Sequence, residues 1–257
     1  LQHGYTGQTL YVNVGEGRIA AKPVSANMRE TFIGGRGFDL WLLWHGVRGT
    51  TQWDDPENEI VIASGPCGGT TQYPGSGKSI AAAISPLTGI PIDSNAGGHF
   101  GPYLKFAGWD AIEVQGIAQQ EVIILINAPA GKIQILAAPD DCPTNTHLLG
   151  HWLNEQLAET EKDRELMAFV SAGHGSEHTL MGCLNFSLYD RKRKDLRYKQ
   201  AGRGGIGTVL RHKHVRALVV RTHPFGGDAN RPADLKRIAR TGAEMNREVT
   251  RWDPAQN

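Results

Sequence analysis

Short runs in which apolar residues alternate with polar ones, or simply follow one another, recur along this chain at strand length. Thr9–Val14 is the first, and a Gly15-Glu16-Gly17 turn brings back Arg18–Pro23 as its hairpin partner. Ile60–Ser64, Ser79–Ile84, Ala111–Gln115, Val122–Ile126, Lys132–Ala137, Ala168–Ser171 and Arg216–Arg221 read as further strands. Asn127–Gly131 is the turn of a second hairpin. Helical periodicity is confined to Phe38–Val47, Asn145–Thr160 and Pro232–Arg251, the last with Asp228 or Asn230 as its cap. Strands in such excess, without regular β-α-β alternation, predict an α+β fold: a β-rich layered domain with a few helices and a helix at the C-terminal end.

Two glycine-rich segments interrupt this pattern. In the first, Ser85–Gly89 ends a strand and turns, and Asn95-Ala96-Gly97-Gly98 then offers short side chains and bare backbone before a helix that starts near Pro102. In the second, Ala201-Gly202-Arg203-Gly204-Gly205 leads into a short helix, Ile206–Lys213. Backbone N–H groups turned outward at such loops hold phosphate without a Cβ in the way. Arg203, inside the second loop, adds a guanidinium fork suited to a phosphate. A tight turn is the plainer reading of either loop alone; two in one chain favour a ligand with more than one phosphate.

Composition narrows the class. At 257 residues, with 40% hydrophobic and 21% charged residues, the chain has the make-up of an ordinary globular protein, and its 32 glycines point to many tight turns. A net charge of +1 gives no global case for nucleic acid, and no apolar run approaches the length of a membrane helix. No targeting peptide is read at Leu1–Tyr5. Cys67, Cys142 and Cys183 are odd in number and far apart, so neither a disulfide framework nor a four-thiolate iron–sulfur cluster is expected on this chain alone. A cytoplasmic setting follows as the expectation.

Four motif-like patterns give way to plainer readings. Pro74–Ser79 ends like a Walker A loop, but its first glycine would fall at Gln72. Gly202-x-Gly204-x-x-Gly207 spells a dinucleotide fingerprint, yet follows the charged run Asp190–Lys199 where a buried strand is required. His174-Gly175-Ser176-Glu177-His178 matches H-x-x-E-H, but its glycines argue for a surface turn over a zinc-binding helix. Arg191–Lys194 reads as a solvated basic loop, balanced by Asp190 and Asp195.

Taken in order, Gly7–Val14, Gly34-Gly35-Arg36-Gly37, Pro56-Glu57-Asn58, Ala63–Pro66, Ser85–Gly89, Asn95–Gly101, Leu104–Asp110 and Ala201–Gly207 closely resemble the aldehyde:ferredoxin oxidoreductase family, across residues 4–222. The resemblance implies a two-sheet base domain over residues 1–222, beneath a tungsten or molybdenum bis-pyranopterin. It implies a magnesium ion bridging the pterin phosphates, on the carbonyls of Asn95 and Ala201. Cofactor contacts carry over to Lys78, Asn95, Ala96, Gly97, Gly98, Gln200, Ala201, Gly202 and Arg203, and no catalytic acid or base is assigned. Lys78 stands where the family commonly has an arginine, and Lys199-Gln200 replace a typical Arg-Ala pair.

The family's cluster cysteines and acid–base groups lie in helical domains that this sequence does not contain. Hence the expectation of a cysteine-containing helical partner subunit carrying the 4Fe-4S cluster, or of a fragment, with residues 223–257 as a linker and docking helix. Ferredoxin or another iron–sulfur subunit would take the electrons, with no nucleic acid and no membrane insertion. The implied reaction interconverts aldehydes and carboxylic acids. Alternatives are a relative acting on aromatic thioesters or hydroxy acids, or a non-catalytic scaffold in a larger redox complex; nucleotide binding is a more distant reading.

Overall fold

The computed structural model describes residues 3–226 and 229–251. The chain forms two mixed six-stranded sheets built on one plan. The first half runs β1 (Gln8–Asn13), β2 (Arg18–Pro23), α1 (Ala26–Thr31), α2 (Arg36–Gly46), β3 (Ile60–Ala63), β4 (Ser79–Ile84), β5 (Pro91–Ala96), α3 (Phe100–Phe106) and β6 (Ala111–Gln115). The second runs β7 (Val122–Asn127), β8 (Lys132–Ala137), α4 (Thr146–Leu157), α5 (Glu161–Glu165), β9 (Met167–Ser171), β10 (Leu184–Asp190), β11 (Asp195–Ala201), α6 (Ile206–His212) and β12 (Val215–Arg221).

The sheet orders, β2-β1-β6-β3-β4-β5 and β8-β7-β12-β9-β10-β11, become identical once the second half is renumbered onto the first. In each sheet the last strand of the half inserts beside the first as the parallel pair, β1 with β6 and β7 with β12. All other pairings are antiparallel.

Alternation along the central strands assigns each residue to a layer. Ile60 and Ile62 of β3 face a core shared by both sheets with α3 and α6, while Val61 and Ala63 turn outward beneath α1 and α2. On the second sheet, Ala168 and Val170 of β9 face the shared core, while Met167 and Phe169 pack with Leu149 and Leu153 of α4. Burial on both faces is why these strands read as continuous apolar runs.

The element boundaries differ from the sequence pattern in several places. The helix expected over Asn145–Thr160 ends early: α4, capped by Asn145, stops at Leu157, and a Thr160–Asp163 capping box starts a separate helix, α5. β5, β10 and β11 were not expected. The C-terminal helix α7 (Leu235–Thr250) begins later than Pro232, with Asp234 as its cap accepting from the Arg237 N–H. Asn230 is not a cap; its buried side-chain amide donates to the Pro66 carbonyl and the Thr70 hydroxyl. The other cap candidate, Asp228, lies outside the described residues, as does Gly227. α7 lies against the chain's own loop at Gly242, where a Cβ would collide with the Gln72 carbonyl.

One buried charge cluster has a measurable consequence. Glu59 is buried beside Glu113, Lys22 and Lys213. Burial, and then the Glu113 carboxylate, push its pKa up to about 8, while burial lowers Lys213 to about 8. A carboxyl raised in the folded state stabilises below its unfolded value and loses that contribution as pH rises through 8. Lys213 has the opposite sign, but its changes fall between its folded value and the ordinary lysine value, above the range in which Glu59 titrates. Glu59→Gln, which fixes the neutral form, is therefore expected to raise the thermal midpoint by roughly 5 °C at pH 8 and to leave it nearly unchanged at pH 5. Melting curves at the two pH values check this; an equal effect at both rules out a protonated Glu59.

Candidate functional site

The edge strand of each sheet, β5 and β11, comes to lie against the other, and each is followed by one of the glycine-rich loops. The loops occupy equivalent places in the two halves: β5 ends Asn95-Ala96 before Gly97, and β11 ends Gln200-Ala201 before Gly202. Each loop is braced by the opposite half. The His99 N–H donates to the Ser187 carbonyl on β10 (3.1 Å), and the Arg203 N–H donates to the Ser94 hydroxyl on β5 (3.1 Å). Phe100, the first residue of α3, meets Phe186 of β10 edge to face at 6.1 Å.

The glycines divide into two kinds. Gly98 (φ +125°), Gly204 (φ +74°) and Gly205 (φ +71°) hold backbone that side chains resist, and a Cβ on them would press on Ser187, Ile92 and Leu180 respectively. Gly97 and Gly202 carry no such constraint. A Cβ at Gly97 would meet only Lys199 Cγ, at 3.8 Å, and at Gly202 it would meet nothing within 4 Å. The first kind shapes the loops, and the second leaves open space in front of them.

The structure brings most of the expected residues together around that space. Lys78, just before β4, donates from Nζ to Asn95 Oδ1 (3.1 Å), and both are exposed. Arg203 is exposed on the facing loop, while Ala96 and Ala201 are buried at the strand ends and contribute backbone only. Gln200 is different: strand alternation puts it on the same side as Leu196 and Tyr198, and its amide donates to Asn185 Oδ1 (3.3 Å). Its side chain therefore points away from the first loop.

Three residues not assigned from the sequence stand at the same place. Lys199 shares its strand face with Ala201 and lies along Gly97, adding a third cation to Lys78 and Arg203. Alternation would have found it had β11 been recognised. Arg36 at the start of α2 pairs with Asp93 of β5 (2.8 Å). Behind them Asp39 is fully buried, and burial followed by the Asp93 charge raises its carboxyl well above the usual range.

A cavity of about 610 Å³ opens beside the first loop, with Gly77, Gly98, His99, Tyr103, Arg191 and Lys192 in its wall. Burial, reinforced by the Arg191 charge, lowers the His99 pKa, so its ring is neutral at physiological pH and its Nδ1 has no hydrogen-bond partner.

The discarded motifs also find their places. The Walker-like stretch leads into strand β4 where a P-loop would lead into a helix. The dinucleotide-like glycines do follow a strand, β11, but it is a solvated antiparallel edge and not the buried parallel strand that fingerprint needs. Arg191–Lys194 forms the turn between β10 and β11, with Arg191 paired to Glu165 (3.0 Å) and Arg193 to Asp190 (2.7 Å). His174–His178 is a surface turn as expected, wound as a short 3-10 helix. The three cysteines are free, with Cys142 buried and Cys67 exposed. Among the described residues, no helix is long and apolar enough to cross a membrane.

Residues 9–222 match the family model described as aldehyde ferredoxin oxidoreductase, N-terminal domain. The tungsten-containing aldehyde ferredoxin oxidoreductase of Pyrococcus horikoshii is 32% identical over 220 residues, covering 86% of this chain and 34% of that protein. The Pyrococcus furiosus protein of the same description is also 32% identical over 220 residues, covering 85% and 33%. The aliphatic sulfonate oxidoreductase, WOR-like subunit, of Pyrococcus furiosus is 26% identical over 228 residues, covering 85% and 35%. Among solved structures, the active site complex BamBC of benzoyl coenzyme A reductase in complex with 1,5-dienoyl-CoA is similar with a TM-score of 0.74 and 25% identity, over 86% of this chain and 31% of the other. The chain thus spans about a third of the length of the relatives it matches.

Proposed function

The chain belongs to the aldehyde ferredoxin oxidoreductase family through that family's N-terminal domain, and from this premise we propose that it is the cofactor-holding base of a tungsten or molybdenum oxidoreductase. The observation that carries the reading is the pair of facing loops. Two glycines whose side-chain space is open, Gly97 and Gly202, sit among three exposed cations, Lys78, Lys199 and Arg203. That donor set fits a ligand with two phosphate arms, one for each half of the fold.

Lys78 and Asn95 would hold one arm and Arg203 the other, with Lys199 between them. The carbonyls of Asn95 and Ala201 would serve a magnesium ion at the phosphates, since magnesium takes a few protein oxygens together with phosphate and water. When bound, the metal–pterin group supplies two-electron oxidation or reduction of a carbonyl carbon; this chain positions it and neutralises its phosphates. With three scattered cysteines this segment lacks four thiolates for a cluster, so the 4Fe-4S centre would belong to a cysteine-containing helical partner or further domain that passes electrons to ferredoxin.

Aldehyde–acid interconversion is the first reading of the substrate, carried by the similarity to the tungsten-containing relatives. The similarity to BamBC supports a second, reduction of an aromatic thioester. Metal and pterin analysis of the native chain with its co-purifying subunits tests the core of the proposal. About one tungsten or molybdenum per copy is expected, and a stable assembly containing neither would sink it.

A further inference from the structure

The H-x-x-E-H segment does something in three dimensions that its glycines concealed. As a 3-10 turn, His174–His178 stacks residues three apart, which puts Glu177 Oε2 3.0 Å from His174 Nδ1. The same turn brings the two imidazoles edge to face, with Nε2 of His174 only 3.2 Å from Nε2 of His178. A donor atom from each of the three residues lies within 4.8 Å of the other two.

We propose that His174 and His178 bind a divalent transition ion through Nε2, with Glu177 orienting His174 and zinc as the physiological candidate. Three arguments carry this. In tetrahedral zinc sites, metal–nitrogen bonds of about 2.0–2.1 Å place two nitrogen donors about 3.3 Å apart, which is the spacing already present here. An outer partner is pre-oriented: Arg211 donates from Nε (2.9 Å) and Nη2 (2.5 Å) to Glu177 Oε1, which fixes the carboxylate and leaves Oε2 on Nδ1 of His174, so that the ring presents Nε2 to the ion. Arg211 also donates to both oxygens of Glu121, at 2.9 and 2.8 Å, so its own charge is matched. Two imidazole nitrogens suit a borderline ion over magnesium or calcium. Both imidazoles are exposed, which leaves the remaining positions to water.

The site sits at the head of a structural strap. Directly after it, Thr179 accepts from the Thr208 hydroxyl (2.7 Å), and Gly182 exchanges bonds with Thr208 and Gly207 at the start of α6. Zinc here would stiffen the segment that supports the second glycine loop. This inference rests on the side chains of the turn and is independent of the cofactor reading.

The test is calorimetric titration of zinc chloride into the chelator-treated full chain, alongside His174→Ala, His178→Gln and the two combined. The unmodified chain is expected to take one equivalent saturably and to melt higher with zinc. Each single variant is expected to bind at least tenfold more weakly, and the double variant should lose both binding and the thermal shift while melting as the metal-free chain does. Absence of saturable binding, or undiminished binding by the double variant, overturns the proposal.

Discussion

Gly205→Ala is expected to lower the thermal midpoint by roughly 10 °C. Gly205 precedes α6 with φ +71°, a region that costs an L-residue roughly 1–2 kcal/mol. The added Cβ would also press on the Leu180 carbonyl and the Pro86 ring. A backbone carbonyl cannot swing aside as a flexible side-chain tip can, and the strap that carries it is tied at Thr179 and Gly182. Together these amount to on the order of 3–5 kcal/mol, and a chain of this size loses about 2–4 °C for each. Circular-dichroism melts of the two proteins provide the check; a shift below about 2 °C would mean that the strap yields and the crowding is not structural.

Gly202→Val and Arg203→Ala are expected to behave in the opposite way, stable but unable to retain the cofactor. Nothing lies within 4 Å of a Cβ at Gly202, its φ is not in the left-handed region, and Arg203 is exposed, so each change should alter stability by less than about 0.5 kcal/mol. In the assembled protein, however, valine would fill the open space before the second loop, and alanine removes a fork whose charge-assisted bonds are worth about 1.5–3 kcal/mol each. Tungsten or molybdenum and pterin per copy should fall at least tenfold in both variants, with melting of the metal-free chain unchanged. Full retention of metal and pterin would refute the assignment of this loop. The contrast with Gly205→Ala separates glycines kept for the fold from glycines kept for a ligand.

The sequence made the apolar strands legible and the polar ones not. β3, β4 and β12 are buried on both faces and announce themselves by composition. β5, Pro-Ile-Asp-Ser-Asn-Ala, holds a single large apolar residue and is a strand because β4 pairs with it along its whole length. β11 is an edge strand rich in charge, the composition that keeps an exposed edge from pairing with other chains, so it read as loop. Missing these two strands hid the β5–β11 contact and with it Lys199. The glycine loops themselves were recognisable, but not that Asn95-Ala96-Gly97 and Gln200-Ala201-Gly202 are one motif occurring twice. Two matching letters and an amide pair are too few to reveal a repeat until the topology equates them. The surface turn at His174 was legible, because glycine opposes a long helix but allows a single 3-10 turn; the approach of its two imidazoles was not.

The reciprocal bracing of the loops has a consequence for how the protein is made. The bond from the Arg203 N–H to the Ser94 hydroxyl spans 109 residues, and neither loop is supported until the other half is folded beside it. On the ribosome, where chains grow at about 5–20 residues per second, the first sheet has its strands well before Arg203 emerges. A ligand held between the loops can therefore be loaded only after both halves of this domain have been synthesised and docked. Delivery of such a ligand would be a late step in maturation, and a chain interrupted between the halves would carry one loop without its brace.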